Sequence, residues 1–215
     1  MRLESEPCIV QEGYPFILLA AVTAIFFGML GWKVPAAVFF VLTLCIVAFF
    51  RNPARRIPED QKAVLSPADG KVLNVERLTH THVLDAPGWK ISIFMNVHNV
   101  HVNRVPASGT VLRKRYHPGK FFVASRDKAS ENNERMELLI RTDQGHTIGV
   151  VQIAGWVARR IVCYPEQGDR VIQGARLGLI RFGSRVELYV TEGATITIRP
   201  GESTKGGETI IGHVP

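Results

Sequence analysis

Between Phe16 and Phe50 the chain carries a single charge, Lys33, set in Gly31-Trp32-Lys33-Val34-Pro35. A run this apolar cannot present all of its sides to water, so it constrains where the chain can reside before any other feature does. Glycine and proline around a lone charge make a turn, which splits the run into arms Phe16–Leu30 and Val34–Phe50. At 1.5 Å per residue each arm reaches roughly 22–26 Å, a little under the ~30 Å of bilayer hydrocarbon. The pattern predicts a helical hairpin over residues 1–50 that spans a thin bilayer or dips into one leaflet. A hairpin buried in a protein core is the alternative that the arm length leaves open. A cleaved signal peptide fits poorly, because Glu4, Glu6 and Glu12 outweigh Arg2 and no Ala-x-Ala site follows the apolar run. Arg51, Arg55 and Arg56 come directly afterwards, the cluster expected on the cytoplasmic side of a membrane. A hairpin returns the N-terminus to that same side. The expected location is the cell membrane, with residues 51–215 facing the cytoplasm.

Charge and cysteine content narrow the partners. Lys and Arg total 26 against 19 for Asp and Glu, a net charge of +7 on 215 residues. That balance suits an anionic membrane surface or a nucleic acid. Basic residues beyond Arg51 are scattered rather than interleaved with aromatics, which argues against nucleic acid. Cys8, Cys45 and Cys163 are odd in number and far apart, so they suggest neither a disulfide framework nor a zinc pattern. The chain admits a homo-oligomer without requiring one.

Beyond Pro58 the periodicity changes to short apolar runs punctuated by Gly, Pro and Asp, which favours strands. Strands are expected near Ala63–Leu65, Lys71–Arg77, Lys90–Met95, Gly109–Arg115, Arg135–Thr142, Thr147–Ala154, Arg176–Phe182, Arg185–Val190 and Thr195–Ile198. Trp156–Cys163 reads equally as a strand or a helical turn. The fold class is mainly β, a compact sandwich or barrel with room for one short helix. Ser66-Pro67-Ala68-Asp69-Gly70-Lys71-Val72 and Pro106-Ala107-Ser108-Gly109-Thr110-Val111 resemble each other, and Gly168–Gly174 is a third variant. These turns resemble those of biotinyl and lipoyl carrier sandwiches. Asp127-Lys128-Ala129 resembles the lipoyl-lysine tripeptide, so a membrane-tethered carrier modified at Lys128 is a rival reading.

The residues able to do chemistry fall in three segments. Gly183-Ser184 interrupts a β-like run, and a serine hydroxyl can attack the carbonyl before it when glycine leaves that carbonyl unobstructed. Such steps are more commonly simple turns. His98 and His101 are three apart; on a strand they would face opposite sides, while on a turn they could converge. A metal reading would recruit Asp69, His80, His82 or His117, but no H-E-x-x-H or clustered Cys/His spacing accompanies them, and no metal is expected. A satisfied core role for one or both histidines is the plainer alternative. The stronger reading pairs base with nucleophile. Serine is a poor nucleophile until a histidine, oriented by a carboxylate, takes its proton, and Ser184, His101 and Asp69 supply those roles.

Ser66-Pro67-Ala68-Asp69-Gly70, the segment His98–Pro106 and Phe182-Gly183-Ser184 together resemble the pyruvoyl-dependent phosphatidylserine decarboxylases in their short prokaryotic form. Arg51-Asn52-Pro53, His117-Pro118-Gly119-Lys120-Phe121 and Asn132-Asn133-Glu134-Arg135 add to the likeness. The resemblance implies a self-processing enzyme domain over residues 51–215. In it Asp69 and His101 activate Ser184, and the chain parts between Gly183 and Ser184 into a β fragment, 1–183, and an α fragment, 184–215. Ser184 becomes a covalent pyruvoyl cofactor, which forms a Schiff base with phosphatidylserine and draws electrons from the bond to CO2. By the same resemblance His98 protonates the product, and Arg51, Arg55 and Lys120 are candidates for the lipid phosphate. Arg185 stands where many relatives have Ser or Thr, which raises the question of how the cleavage turn is held. It is also the one feature favouring a relative that has lost the chemistry.

Overall fold

The computed structural model describes residues 7–119, 133–155, 160–181 and 184–215, together with the backbone of 2–4. The chain divides into two compact units, Ser5–Ala54 and Arg55–Pro215, the latter joined by Met1–Glu4.

The first unit is the hairpin. A single 3-10 turn, Gln11–Gly13, leads into α1 (Tyr14–Met29), and α2 (Lys33–Phe49) returns. Pro15 and Pro35 fall in the first turns, where a missing N–H costs no helical hydrogen bond. Gly31 takes φ +73° between the helices, a conformation that favours glycine. Phe27 stacks on Trp32 and Phe39 at 5.6 and 5.5 Å between ring centres. Thr23 and Thr43 donate their hydroxyls to the carbonyls of Leu19 and Phe39, so neither carries an unmet donor into an apolar medium. Leu18, Leu19, Ile25, Met29, Val34 and Phe40 remain exposed in the isolated chain. Gln11–Met29 is long and apolar enough to cross a membrane. The neck is closed by Val10 N–H on the Phe50 carbonyl at 3.1 Å and Asn52 N–H on the Cys8 carbonyl at 2.6 Å.

The second unit is β-structure throughout. Its strands are β1 (Arg2–Glu4), β2 (Arg55–Ile57), β3 (Ala63–Leu65), β4 (Gly70–Thr81), β5 (Ala86–Met95), β6 (Val102–Arg104), β7 (Gly109–His117) and β8 (Arg135–Thr142). They continue with β9 (Thr147–Ile153), β10 (Ile161–Cys163), β11 (Arg170–Val171), β12 (Arg176–Ile180), β13 (Ser184–Thr191), β14 (Thr195–Ile196), β15 (Ser203–Thr204) and β16 (Ile210–His213). Eight of them form one antiparallel sheet in the order β11-β7-β8-β9-β13-β5-β4-β15. Register shifts at Val72/Asn74 and Val111/Arg113 are bulges, and bulges in long strands make a sheet curl. The mainly β expectation holds, but the arrangement is one dominant curled sheet with small sheets against it. The likeness to a biotinyl or lipoyl sandwich is not borne out in this detail.

Alternation along the strands decides what faces the core. Val186, Leu188 and Val190 of β13 join Ile91, Ile93 and Met95 of β5 in a single apolar cluster. That cluster also takes Val64, Leu177, Ile180 and Ile211 from the three-stranded sheets β14-β16-β3 and β10-β12-β6. The alternate β13 residues, Arg185, Glu187 and Tyr189, point to the other face, yet they are buried too. Part of the cover is the β4–β5 hairpin tip. Val83 and Leu84 pack with Val151, Ile153 and Tyr189, and Arg113 donates to the Val83 carbonyl at 2.8 Å. Gly149 makes room for this contact, since a Cβ there would meet Val83 at 2.4 Å.

Among the described residues, the apolar clusters built around Val186, Tyr189 and Leu65 lie between Ile57 and Val214. A chain beginning at Arg55 is therefore expected to fold without the hairpin, stay in solution without detergent and melt cooperatively by circular dichroism. Aggregation, or a melt without a transition, would show that residues 1–54 are part of the folding unit.

Candidate active site

Three strand ends and one turn bring the candidate residues toward one place. Lys71 and Arg185 pair with Phe94 from opposite sides of β5. The strand ends bearing Asp69 and Ser184 are thus two strand spacings apart, roughly 10 Å. The turn that leaves the same end of β5 carries both histidines before the chain enters β6.

Asp69 is held rigidly. The loop before it is fixed by Ser66 Oγ donating to the Ala68 carbonyl at 2.8 Å, Thr204 Oγ1 to the same carbonyl at 2.9 Å, and Arg104 N–H to the Pro67 carbonyl at 2.8 Å. The Arg55 guanidinium lies 3.0 Å from both carboxylate oxygens of Asp69, and the Gly206 N–H donates to Oδ1 at 2.8 Å. Gly70, next in the chain, has no room for a side chain: a Cβ would sit 2.2 Å from the Phe94 carbonyl oxygen.

The histidines differ in environment. Asn96 and Asn99 close a turn, with the Asn99 side chain accepting from Asn96 N–H at 2.8 Å and Asn99 N–H donating to the Asn96 carbonyl at 2.8 Å. His98 is exposed within that turn, whereas His101 is buried just after it. His101 Nδ1 is 3.0 Å from the Asn99 carbonyl. A carbonyl only accepts, so this partner assigns the proton to Nδ1 and leaves Nε2 as the basic nitrogen.

Ser184 is the first residue of β13 and lies opposite Met95. It is fully buried, and its hydroxyl donates to Met95 Sδ at 3.7 Å. Two primary amides complete the surroundings: Asn103 Nδ2 donates to the same sulfur at 3.5 Å, and Gln152 Nε2 donates to Asn103 Oδ1 at 2.8 Å. Sequence reasoning passed over Met95, Asn103 and Gln152. The available signal was a polar residue at core parity, Gln152 in Val150-Val151-Gln152-Ile153, and Asn103 two places after His101.

Arg185 points away from Ser184. Its Nη2 donates to Ser92 Oγ at 2.8 Å and lies 3.0 Å from Glu187 Oε1, while Tyr189 OH donates to Glu187 Oε2 at 2.8 Å. Burial, followed by the Glu187 carboxylate, pushes the Tyr189 hydroxyl pKa well up, so it remains a donor.

The other expected residues are spread out. Arg55 is buried against Asp69, and Arg51, in the hairpin unit, donates to the Ala48 carbonyl. Lys120, Gly183 and the carrier lysine Lys128 lie outside the described residues. His80 faces Asp85 at 3.7 Å, His82 packs on the Tyr189 ring, and His117 meets Glu137 at 3.1 Å. Among the described residues no group of three or more His, Cys, Asp or Glu is placed to hold a metal ion. Surface cavities near Asp60, Asp143 and Gln173 and near Tyr164, Arg170 and Arg176 include none of Asp69, His98, His101 or Ser184. Cys163 does not compete as a nucleophile, since burial raises its thiol pKa to about 11.

The chain is similar to known proteins over its whole length. Residues 42–212 match the family model described as phosphatidylserine decarboxylase. The chain is 47% identical over 215 residues to the phosphatidylserine decarboxylase proenzyme of Geotalea uraniireducens, covering all of both chains. It is 49% identical over 220 residues to the proenzyme of the same name from Geobacter metallireducens, again covering all of both. A Burkholderia pseudomallei proenzyme of that name is 46% identical over 209 residues, 97% of this chain and 96% of its own.

Two outcomes follow from the ionisable groups. Arg55→Ala leaves the half-buried Asp69 carboxylate without its cation and should lower stability by about 2 kcal/mol, with a smaller loss for Arg55→Lys, measured as urea midpoints. An unchanged midpoint would mean that the pair is inert. Cys163 should stay almost unalkylated by iodoacetamide at pH 8, where exposed Cys8 reacts, and its rate should climb as pH approaches 11. Peptide mass mapping at several pH values reads both rates, and equal rates at pH 8 would contradict the buried thiol.

Proposed function

The chain belongs to the phosphatidylserine decarboxylase family, and on that premise we propose that it matures by cutting its own backbone between Gly183 and Ser184. The family activity makes it a carboxy-lyase that releases CO2 from phosphatidylserine. The observation that carries the self-cutting reading is the burial of Ser184. In the uncut chain a nucleophile this buried is shielded from an external substrate, but it is covalently next to one carbonyl of its own chain. The word proenzyme in the relatives' names supports the same reading. The carrier alternative at Lys128 finds no support, because these full-length relatives are decarboxylase proenzymes.

His101 Nε2, left basic by the Asn99 contact, takes the Ser184 Oγ proton. Oγ then bonds to the carbonyl carbon of residue 183, the C–N bond breaks, and the proton passes to the Ser184 nitrogen, so an ester replaces the amide. Loss of the Ser184 α-proton with scission of the Cβ–Oγ bond frees fragment 1–183 as a carboxylate. Water then displaces the nitrogen as ammonia, which leaves a pyruvoyl group at position 184. Asp69, fixed by Arg55 and Gly206, is assigned to orient His101 for that transfer. Among the described residues, uncharged Met95 touches residue 184 and is linked to Asn103 and Gln152, surroundings that suit a neutral ketone. Such a ketone would supply an electron sink for the pair left as CO2 departs. His98, exposed in the turn, holds the proton that the product carbon needs. Arg51 and Lys120 are assigned to lipid phosphate, and Arg55 to Asp69. The apolar hairpin and its arginines keep the enzyme at the membrane with its β unit on the cytoplasmic side.

Intact mass of freshly purified protein should therefore show two pieces, 1–183 and 184–215. The second should be blocked to Edman degradation and reactive toward hydrazines. A chain of full mass alone would overturn the proposal. General acid–base groups contribute about 10²–10⁴-fold, so His101→Ala and Asp69→Asn should slow cutting by that order. His98→Ala should cut normally yet release little CO2 from phosphatidylserine vesicles. Equal cutting defects in both histidine variants would refute the division of roles.

A further inference from the structure

Resting on the self-cutting reading, we propose that Asn103 donates the hydrogen bond that stabilises the oxyanion formed as Ser184 attacks its own peptide bond. Gln152 is the positioning residue that keeps the Asn103 amide in its donating orientation.

Met95, Asn103, Gln152 and Ser184 are all buried to within 1% of full enclosure. Primary amides are costly in such a core unless hydrogen bonds compensate them. Gln152 Nε2 faces two carbonyl acceptors, Asn103 Oδ1 at 2.8 Å and the Val162 carbonyl at 3.5 Å, which fixes which end of its amide is nitrogen. Asn103 Oδ1 is thereby occupied, and Nδ2 must turn the other way. It turns to Met95 Sδ, the atom that also accepts from Ser184 Oγ. Donor and nucleophile thus meet on one sulfur.

A thioether is a weak acceptor, so the Asn103 N–H groups give up little when a better acceptor forms beside them. When Oγ bonds to the carbonyl carbon attached to its own nitrogen, the π pair moves onto the carbonyl oxygen. That charge is stranded in the buried core unless a donor meets it. When the pair returns and the C–N bond breaks, the charge disperses and Asn103 can resume its resting contact. No atom is gained or lost in the exchange. One further observation separates this from packing alone: among the described residues, Gln152 Oε1 is buried and has no hydrogen-bond partner. A network kept only for stability would be expected to close that gap.

The test is a pulse–chase of the full-length chain made in a cell-free system, with cutting followed against pH. Asn103→Leu, close in volume but without a donor, should lower the plateau rate about 10²–10³-fold and leave the pH midpoint unmoved. A midpoint that shifts would mean that the substitution displaced the base, and the proposal would fail. Gln152→Leu should give a smaller drop with the same midpoint. Added hydroxylamine, which splits esters, should not release fragments from Asn103→Leu, because the ester does not form. If hydroxylamine does release them, Asn103 acts after the acyl shift and the assignment is wrong. If Asn103→Leu does not fold by near-UV circular dichroism, Asn103→Ala, which removes the donor without adding a charge, is judged by the same readings. A folded variant cutting at the wild-type rate overturns the role of Asn103 alone. Failure of the wild-type chain to cut overturns the underlying reading instead.

Discussion

The pairing of β13 between β5 and β9 is the contact on which the rest of this unit depends. It is the middle ladder of the eight-stranded sheet, and every residue from Ser184 to Val190 is buried on one face or the other. Ser184 takes its place because Val186, Leu188 and Val190 must enter the core. Parity along the strand then turns the hydroxyl to the same face, against Met95. On the proposed reading, the chemistry is a by-product of strand register.

Register in turn is guarded from the opposite face. A slip by one residue would carry Arg185 and Glu187, still paired with each other, into an apolar cluster and strip the guanidinium of Ser92. An ion pair set among apolar side chains without that hydrogen bond would make the slipped state less stable than the observed one. Arg185 thus has a structural role of its own: it fixes the strand whose first residue is the proposed nucleophile. Glu137, with Arg135 at 3.3 Å and His117 at 3.1 Å, extends the same polar system across β8 and β7.

Much of the architecture was legible where periodicity was long enough to read. The arms Phe16–Leu30 and Val34–Phe50 fall within two residues of α1 and α2, and Ala63–Leu65 and Arg135–Thr142 coincide with β3 and β8. The strands β6, β11, β15 and β16 escaped because two to four residues carry no alternation, and their pairing is set by distant partners such as Arg176 for Arg104. Trp156–Cys163, open between two readings, ends in the strand β10. Around the candidate site, residue type flagged Asp69, His101 and Ser184. It did not reveal that Arg55 faces Asp69, since the two are brought together by tertiary packing. Asn103 and Gln152 were invisible for a related reason. An amide has meaning only through the partner that fixes its orientation, and their sequence separation of 49 hides that partner.

A backbone cut ahead of β13 would leave residues 184–215 with no covalent tie to the remainder. They would still be bound by the ladders of β13 to β5 and β9, of β15 to β4 and of β16 to β3. Folding would be first-order before the cut and second-order after it. The assembled sheet would persist through its slow dissociation, while any molecule that lost its C-terminal piece at cellular dilution would have to find another by diffusion. Maturation would thus exchange a reversible structure for one maintained kinetically, and the lifetime of the enzyme would be set by how rarely its central strand lets go.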